Sequence, residues 1–542
     1  MRELLKTQLK KQVLETFKDI DFPAQFKLED PPKKEMGDYS TNIAMVLSGQ
    51  LKMRPRDIAT QLTKEWNTNL FKKIEIAGPG FINFFISEDG WQDFIEEIIK
   101  NKRNLFLNMG KGQNINIEFV SANPTGPLHI GHGRGAAVGA SLSSLLTKTG
   151  FNVINEYYIN DAGNQMKNLA ESLYLRYMEL LGEKITLEKD HYKGEYIINT
   201  AKRFRSKFGD KYKDNFEVEL FKNYAVEEIL NGIKKDLNYF RVNFDKWFSE
   251  KTLYEDGVVK NTLDFLNSKN LTYKKDGAVW FKAEQYGDEK DRVLIRSNGE
   301  PTYFFGDISY HKNKIQRGFD KIINIWGADH HGYEARLRGV LKAIGIDEKK
   351  MSVIFIQLVS LIRESKPVAM STRSGEFITL KDVLDEVGVD ATRFFFVMRR
   401  SDSHLDFDLD LAKKESSENP VFYVQYAHAR IASILRLAKK DGINLENIEF
   451  NKKLIKKNEI EIIKKLLQFK TVLEISVREL SPHRIPFYLI ELAREFHQYY
   501  NNTKILVDDL ATRQVRVTIL ILIKKVIAEG LEIIGVNAPE KM

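Results

Sequence analysis

A chain of 542 residues is too long for one hydrophobic core, so three or four domains are expected. It contains no cysteine, which removes disulfides, zinc–thiolate centres and thiol nucleophiles, and no run of about 18 apolar residues that would span a membrane. Lys and Arg number 83 against 75 Asp and Glu; the net charge of +8 permits a polyanionic partner such as nucleic acid without demanding one.

The opening segment MRELLKTQLKKQVLETF is amphipathic, mixed in charge and without the apolar core of a secretory signal, so a cytoplasmic protein is expected. It begins a small α+β unit over residues 1–110. DPPKKEMGDYSTN (30–42) is rich in turn formers and predicts a loop. Helical patterns follow over 43–51 and 55–66, and KIEIAGPGFINFFIS (73–87) predicts two strands around a Gly-Pro-Gly turn. LNMGKGQN (107–114) predicts a linker.

Residues 111–412 alternate strand and helix. Ile115, Ile117 and Phe119 mark one face of a strand; a loop and a helix running to Gly150 follow, and FNVINEYYIND predicts the next strand. This β-α-β order implies a parallel sheet with right-handed crossovers, an α/β fold whose ligands sit at the carboxyl ends of the strands. Residues 165–250 are charged and mostly helical in period, an insertion between the two halves of that sheet. Strand signals resume at AVWFKA (278–283), RVLIRS (292–297), KIINIWG (321–327) and SVIFIQLV (352–359). From 413 to 542 the period is helical, as in VFYVQYAHARIASILRLAKK, which predicts an all-α bundle.

The chemistry concentrates in SANPTGPLHIGHGRG (121–135), on the strand-to-helix turn. His129 and His132 are three apart and project from one side of the first helical turn. A helix start offers free N–H groups and partial positive charge to a phosphate, and the glycines at 131, 133 and 135 let a nucleotide approach the backbone. In WGADHHGYEAR (326–336), Asp329, His330 and His331 suggest a metal ion at first sight. Adjacent histidines do not easily face one ion, and no H-x-x-x-H or cysteine accompanies them, so no metal site is expected.

His129-Ile130-Gly131-His132 in this context resembles the first signature of class I aminoacyl-tRNA synthetases. KPVAMSTRSGEFITL (366–380), after the strand 352–359 and before the helix of KDVLDEVG, resembles the second, the loop with which that class clamps the triphosphate and stabilises the leaving pyrophosphate. Its core Ala369-Met370-Ser371-Thr372-Arg373 departs from Lys-Met-Ser-Lys-Ser. Both lysines are replaced, which leaves Arg373, Lys366 or a basic residue elsewhere to supply charge. IEFVSANPTGPLHIGH with TYFFGDI is similar to arginyl-tRNA synthetases, as are DPPKKEMGDYSTNIA, NPVFYVQYAHARI (419–431) and the terminal APEKM, in order along the whole chain.

The resemblance implies a Rossmann-like catalytic domain over 111–412, an N-terminal domain that reaches the outer corner of tRNA, and a C-terminal bundle over 413–542 that binds the anticodon. It implies ATP-dependent attachment of L-arginine to tRNA(Arg) through an adenylate, with Mg2+ accompanying ATP and no zinc; a monomer is the default expectation. Implied catalytic residues are His129, His132, Met370, Ser371 and Arg373. ATP would meet Pro127, His129, Gly131, His132, Gly327, Asp329 and Met370. Arginine would meet Glu118, Ser121, Asn123, His132, Tyr303, Asp307 and His330. The chemistry agrees with the last group: a guanidinium cannot be neutralised by burial, so its pocket must supply fixed carboxylates. Glu118 closes the first strand, and Asp307 follows Tyr303 by four residues, on one face of a helix. Such polar pairing rejects analogues by roughly 10⁴ or more, so no editing domain is expected. In the bundle, Tyr423, Tyr426, His428 and Arg430 mix aromatic rings with positive charge, the chemistry that stacks unpaired bases, although most aromatics on amphipathic helices are core. Three alternatives stay open at this level: a class I synthetase for another amino acid, a non-enzymatic RNA-binding relative, and a small nucleotidyltransferase, a class of much shorter chains.

Overall fold

The computed structural model describes residues 1–18, 20–64, 66, 69–100, 108–368 and 378–542. Two groupings of the chain are each compact. One comprises Met1–Asn104, Ile434–Leu467 and Glu495–Ile523; the other comprises Leu105–Ser433, Gln468–Arg494 and Lys524–Met542.

The first grouping opens with α1 (Arg2–Thr16), β1 (Leu28–Glu29), β2 (Tyr39–Thr41), α2 (Ile43–Leu51), α3 (Pro55–Lys64), β3 (Phe71–Ala77), β4 (Phe81–Ile86) and α4 (Glu88–Lys100). Its antiparallel sheet runs β1-β2-β4-β3. The segment 30–42, expected as a loop, ends in a strand. Gly37 at φ +108° lies where a Cβ would strike the Phe84 carbonyl oxygen at 2.7 Å, and that close approach brings Asp38 N–H onto the same oxygen.

The second grouping contains β5 (Asn114–Glu118), α5 (Ile130–Lys148), β6 (Asn152–Ile159), α6 (Asn164–Leu180), α7 (Glu195–Phe208), α8 (Val218–Tyr239), β7 (Lys246–Ser249), α9 (Lys251–Glu255), α10 (Val258–Ser268), β8 (Thr272–Lys275), β9 (Ala278–Phe281), β10 (Arg292–Ile295), α11 (Tyr303–Gln316), β11 (Lys321–Gly327), α12 (His331–Ala343), β12 (Met351–Ile356), β13 (Val359–Arg363), β14 (Lys366–Pro367), α13 (Leu380–Val387), α14 (Val389–Met398), β15 (Leu405–Asp408) and α15 (Leu409–Lys413). The long helices α16 (Pro420–Lys440), α17 (Lys457–Arg478), α18 (Arg484–Asn502) and α19 (Leu510–Ile533) are each divided between the two groupings.

A five-stranded parallel sheet, ordered β12-β11-β5-β6-β7, centres the second grouping. Three details differ from the sequence-based expectation. Residues 246–249, assigned to the insertion, form the edge strand β7. The segments 278–283 and 292–297, assigned to the parallel sheet, build a separate antiparallel sheet with β8, because Asp276 and Gly277, both at positive φ, fold β8 directly back onto β9. The run 352–359 is not one strand: β12 stops at Ile356 and β13 pairs instead with β14 and β15. The break coincides with a buried guanidinium. Arg134 of α5 donates to the carbonyls of Gln357 (2.8 Å), Ser403 (2.7 Å) and Arg400 (2.8 Å), and Gln357 N–H turns to Ser401 O.

Candidate active site

Glu118, Asn324 and Glu156 are register partners on β5, β11 and β6, so they form a polar row across the middle of the sheet. All three are buried. α11 covers them with matching groups. Lys314 Nζ, fully buried, donates to Glu118 Oε2 (2.6 Å) and Asn324 Oδ1 (3.1 Å); Arg317 grips Glu156 through two bonds (2.6 and 2.8 Å), and Tyr310 donates to it (2.5 Å). Asn324 meets His311 Nε2 at 2.9 Å, and His311 Nδ1 meets the Asp307 carbonyl at 2.9 Å. Burial, together with the charge of Lys314, pushes the His311 pKa down to about 3.

This anchoring fixes the first turn of α11, whose N-cap Thr302 accepts from Phe305 N–H. Tyr303 is exposed and Asp307, one turn on, is buried. The Tyr333 hydroxyl donates to Asp307 Oδ2. Burial lifts Asp307 well above the usual carboxylate range, and the nearby charges of Glu118 and Glu250 push it the same way. Glu250 is likewise raised by burial, and its Oε2 has no hydrogen-bond partner among the described residues. Tyr158 and Tyr254 stand beside it. Three buried acids share one resident ammonium, and burial favours the neutral forms of Asp307 and Glu250; a cationic side chain docked beside them would stabilise the ionised carboxylates.

Past β5 the chain turns sharply. Val120 and Ser121 both have positive φ (+67° and +40°), strained for a β-branched residue and stored where functional loops commonly store it. Ser121 Oγ donates to Glu118 Oε1 (3.1 Å) and accepts from Tyr158 N–H (3.1 Å). Asn123 is exposed and its amide meets Gln165 (2.9 Å); Pro127 is exposed as well. His129 caps α5: its Nδ1 accepts from Gly131 N–H (3.1 Å), and His132 Nδ1 accepts from His129 N–H (3.4 Å). The two rings stack 3.6 Å apart. Burial lowers both pKa values, His132 to about 3, so both rings are neutral at pH 7.

Of the glycines expected to open the backbone to a nucleotide, Gly133 has another use: a Cβ there would meet Leu380 at 2.5 Å, so the gap admits a neighbouring helix. Gly131 faces the His129 ring and Gly135 faces Ile356. Gly327 and Asp329, at the end of β11, are exposed; His330 pairs with Asp329 (3.5 Å), while His331 stacks on Phe355 (3.7 Å). Among the described residues no group of three or more His, Cys, Asp or Glu could hold a metal ion. Ala369, Met370, Ser371, Thr372 and Arg373 lie outside the described residues. Lys366, on β14, is exposed.

Glu118, Ser121, Tyr303 and Asp307 thus come together. Lys314, Glu250, Tyr158 and Tyr333 join them without having been singled out from sequence. Positions 303, 307, 310, 311 and 314 recur at helical spacing as a polar stripe, a signal legible in YFFGDISYHKNK; Glu250 carries none.

Known proteins set this arrangement in a class. Residues 94–400 match the family described as tRNA synthetases class I (R), catalytic domain. Residues 3–86 match the arginyl tRNA synthetase N terminal domain, and 424–542 the DALR anticodon binding domain. An arginine–tRNA ligase of Syntrophotalea carbinolica is 48% identical over 528 residues, 96% of this chain and 95% of its own length. That of Desulfitobacterium hafniense is 45% identical, with 100% and 99% covered. The Thermus thermophilus arginyl-tRNA synthetase structure, 21% identical, shares the fold over 100% of both chains with a TM-score of 0.78. The chain belongs to the arginyl-tRNA synthetase family, class I enzymes that charge tRNA with arginine in translation.

Proposed function

We propose that this chain joins L-arginine to tRNA(Arg) in two steps. The arginine carboxylate attacks the α-phosphorus of ATP in line and expels pyrophosphate; the 2′-hydroxyl of the terminal adenosine then takes the arginyl group from the adenylate. The observation that carries this is the trio of buried acids, Glu118, Glu250 and Asp307, with Glu118 on the strand whose loop leads into a helix start capped by two histidines. The guanidinium docks between the acids under Tyr303, while Ser121, Asn123 and His330 take the amino and carboxylate end. Pro127, His129, Gly131, His132, Gly327 and Asp329 form the nucleotide side. His129 and His132, neutral in the free protein, donate to phosphate oxygens as negative charge builds, and Met370, Ser371 and Arg373 hold the leaving pyrophosphate. Catalysis is positioning and charge stabilisation; no side chain forms a covalent intermediate. Mg2+ comes with ATP, bound by phosphate oxygens and water.

The domain roles follow the same proposal: residues 1–110 meet the outer corner of tRNA, 111–412 catalyse, and 413–542 bind the anticodon, in a cytoplasmic monomer. The test is aminoacylation of total tRNA with each of the twenty amino acids. Arginine alone should be charged, and only with ATP; charging of another amino acid, or of none, overturns the proposal.

A further inference from the structure

The loop 121–128 that leads to His129 makes few backbone bonds of its own. Ser121 N–H returns to Phe119 and Thr125 N–H to Asn123 (2.7 Å), both local. At its far end Leu128 O accepts from Leu380 N–H (2.8 Å), and two carbonyls before that are taken by tyrosines. At the start, Tyr157 of β6 donates to Ala122 O (2.8 Å). In the middle, Tyr196 donates to Thr125 O (2.5 Å), and its ring lies against Gly126, where a Cβ would come within 3.3 Å. Tyr192 faces the Thr125 hydroxyl, and Gln165 holds the Asn123 amide at 2.9 Å. Gln165, Tyr192 and Tyr196 all belong to the helical insertion, at the start of α6 and around the start of α7. A strained loop, exposed only at Asn123 and Pro127, thus takes its mid-span position from side chains of an element outside the sheet.

We infer that the helical insertion is a positioning device for this loop, and that the Tyr196 hydroxyl on the Thr125 carbonyl is its main fixing point. The inference rests on the proposal that Asn123, Pro127 and His129 meet the substrates. Tyr196 itself touches neither; it sets the height of Thr125 and Gly126, and with them the path into the helix cap. A misplacement of about 1 Å in a reacting site costs about 10²-fold in rate, so loss of one fixing bond is expected to show in kcat.

The test compares two full-length variants that each lose one hydroxyl. Tyr196→Phe keeps the ring on Gly126 and breaks the bond to Thr125. Tyr174→Phe removes an equivalent bond, to Lys213 O (3.0 Å), inside the same insertion and away from the loop. Both should melt within a degree or two of each other. The kcat of arginine charging should fall roughly tenfold or more in Tyr196→Phe and stay at the parental value in Tyr174→Phe. KM for tRNA should be the same in both. Equal kcat in the two variants overturns the inference. So does a kcat loss in Tyr196→Phe that merely follows a lower melting temperature, because the hydroxyl would then support the fold alone. If the parental protein does not charge arginine, the functional proposal fails instead, whatever the variants do.

Discussion

At the scale of single residues the site is a problem in charge. Asp307 is buried, bonded to Tyr333 and raised above the usual carboxylate range, so it holds a proton to higher pH than a free aspartate. A guanidinium bound beside it stabilises the ionised form and expels that proton. Arginine affinity should therefore rise with pH until Asp307 ionises unaided, then level off. Calorimetry in buffers of different ionisation enthalpy, run across the acid-to-neutral range, should detect proton release on binding that fades once the pH is high enough for Asp307 to ionise unaided. In Asp307→Asn the release should drop and arginine affinity should fall roughly 10- to 100-fold, with ATP binding unchanged; undiminished affinity would remove Asp307 from the pocket. Lys314 is the second lever. It is fully buried on Glu118, so Lys314→Met leaves a buried carboxylate without its partner and should cost about 3 kcal/mol in denaturant unfolding. Adding Glu118→Gln should recover most of that loss, because the pair is then removed together.

At the scale of elements, α5 and α11 do the positioning. α5 starts at the histidine cap, and its glycines let neighbours in. Gly133 faces Leu380 and Phe396, and at Gly139 a Cβ would meet Phe119 at 2.4 Å. Gly133→Ala would gain about 1 kcal/mol of helix propensity and lose about 1–3 kcal/mol to overpacking. A net loss of stability is expected, and Leu380→Ala in the same chain should relieve it; a more stable Gly133→Ala would show that the gap is not filled. The helix was legible from the sequence because its cap, its glycines and its end at Gly150 are local signals. The reason for Gly133 was not, because Leu380 is 247 residues away (380 − 133). α11 was legible in part: Tyr303 and Asp307 were seen to share a face, while the lower stripe of Tyr310, His311, Lys314 and Arg317 acquires its meaning only from the strands beneath it.

At the scale of the whole molecule, buried ionisable groups set how stability depends on pH. His311 has a folded pKa of about 3 against about 6.5 unfolded. Between those values the unfolded chain binds the extra proton, so stability falls as pH drops, by up to about 1.4 kcal/mol per pH unit. His132 acts in the same direction. The raised Asp307 and Glu250 act oppositely, losing stability as pH climbs out of the ordinary carboxylate range. His311→Gln should remove its share of this dependence, so that its urea midpoint drops less, or rises more, between pH 7 and 5 than that of the parental chain; an unchanged slope would rule out the contribution of His311. What the sequence determined by itself is what short-range order can encode: the βαβ start, the histidine-capped helix, the order of signatures and the helical C-terminal region. The tertiary structure decided the rest. The alternation in NINIE marks an apolar face and leaves the other to be read as solvated, yet Asn116 and Glu118 are buried because α11 brings an ammonium and a guanidinium onto that face. That β11 lies beside β5, and that Lys314 and Arg317 meet Glu118 and Glu156, depends on chain segments 100 and more residues apart, where Coulomb energy and packing act through space and leave no periodic trace.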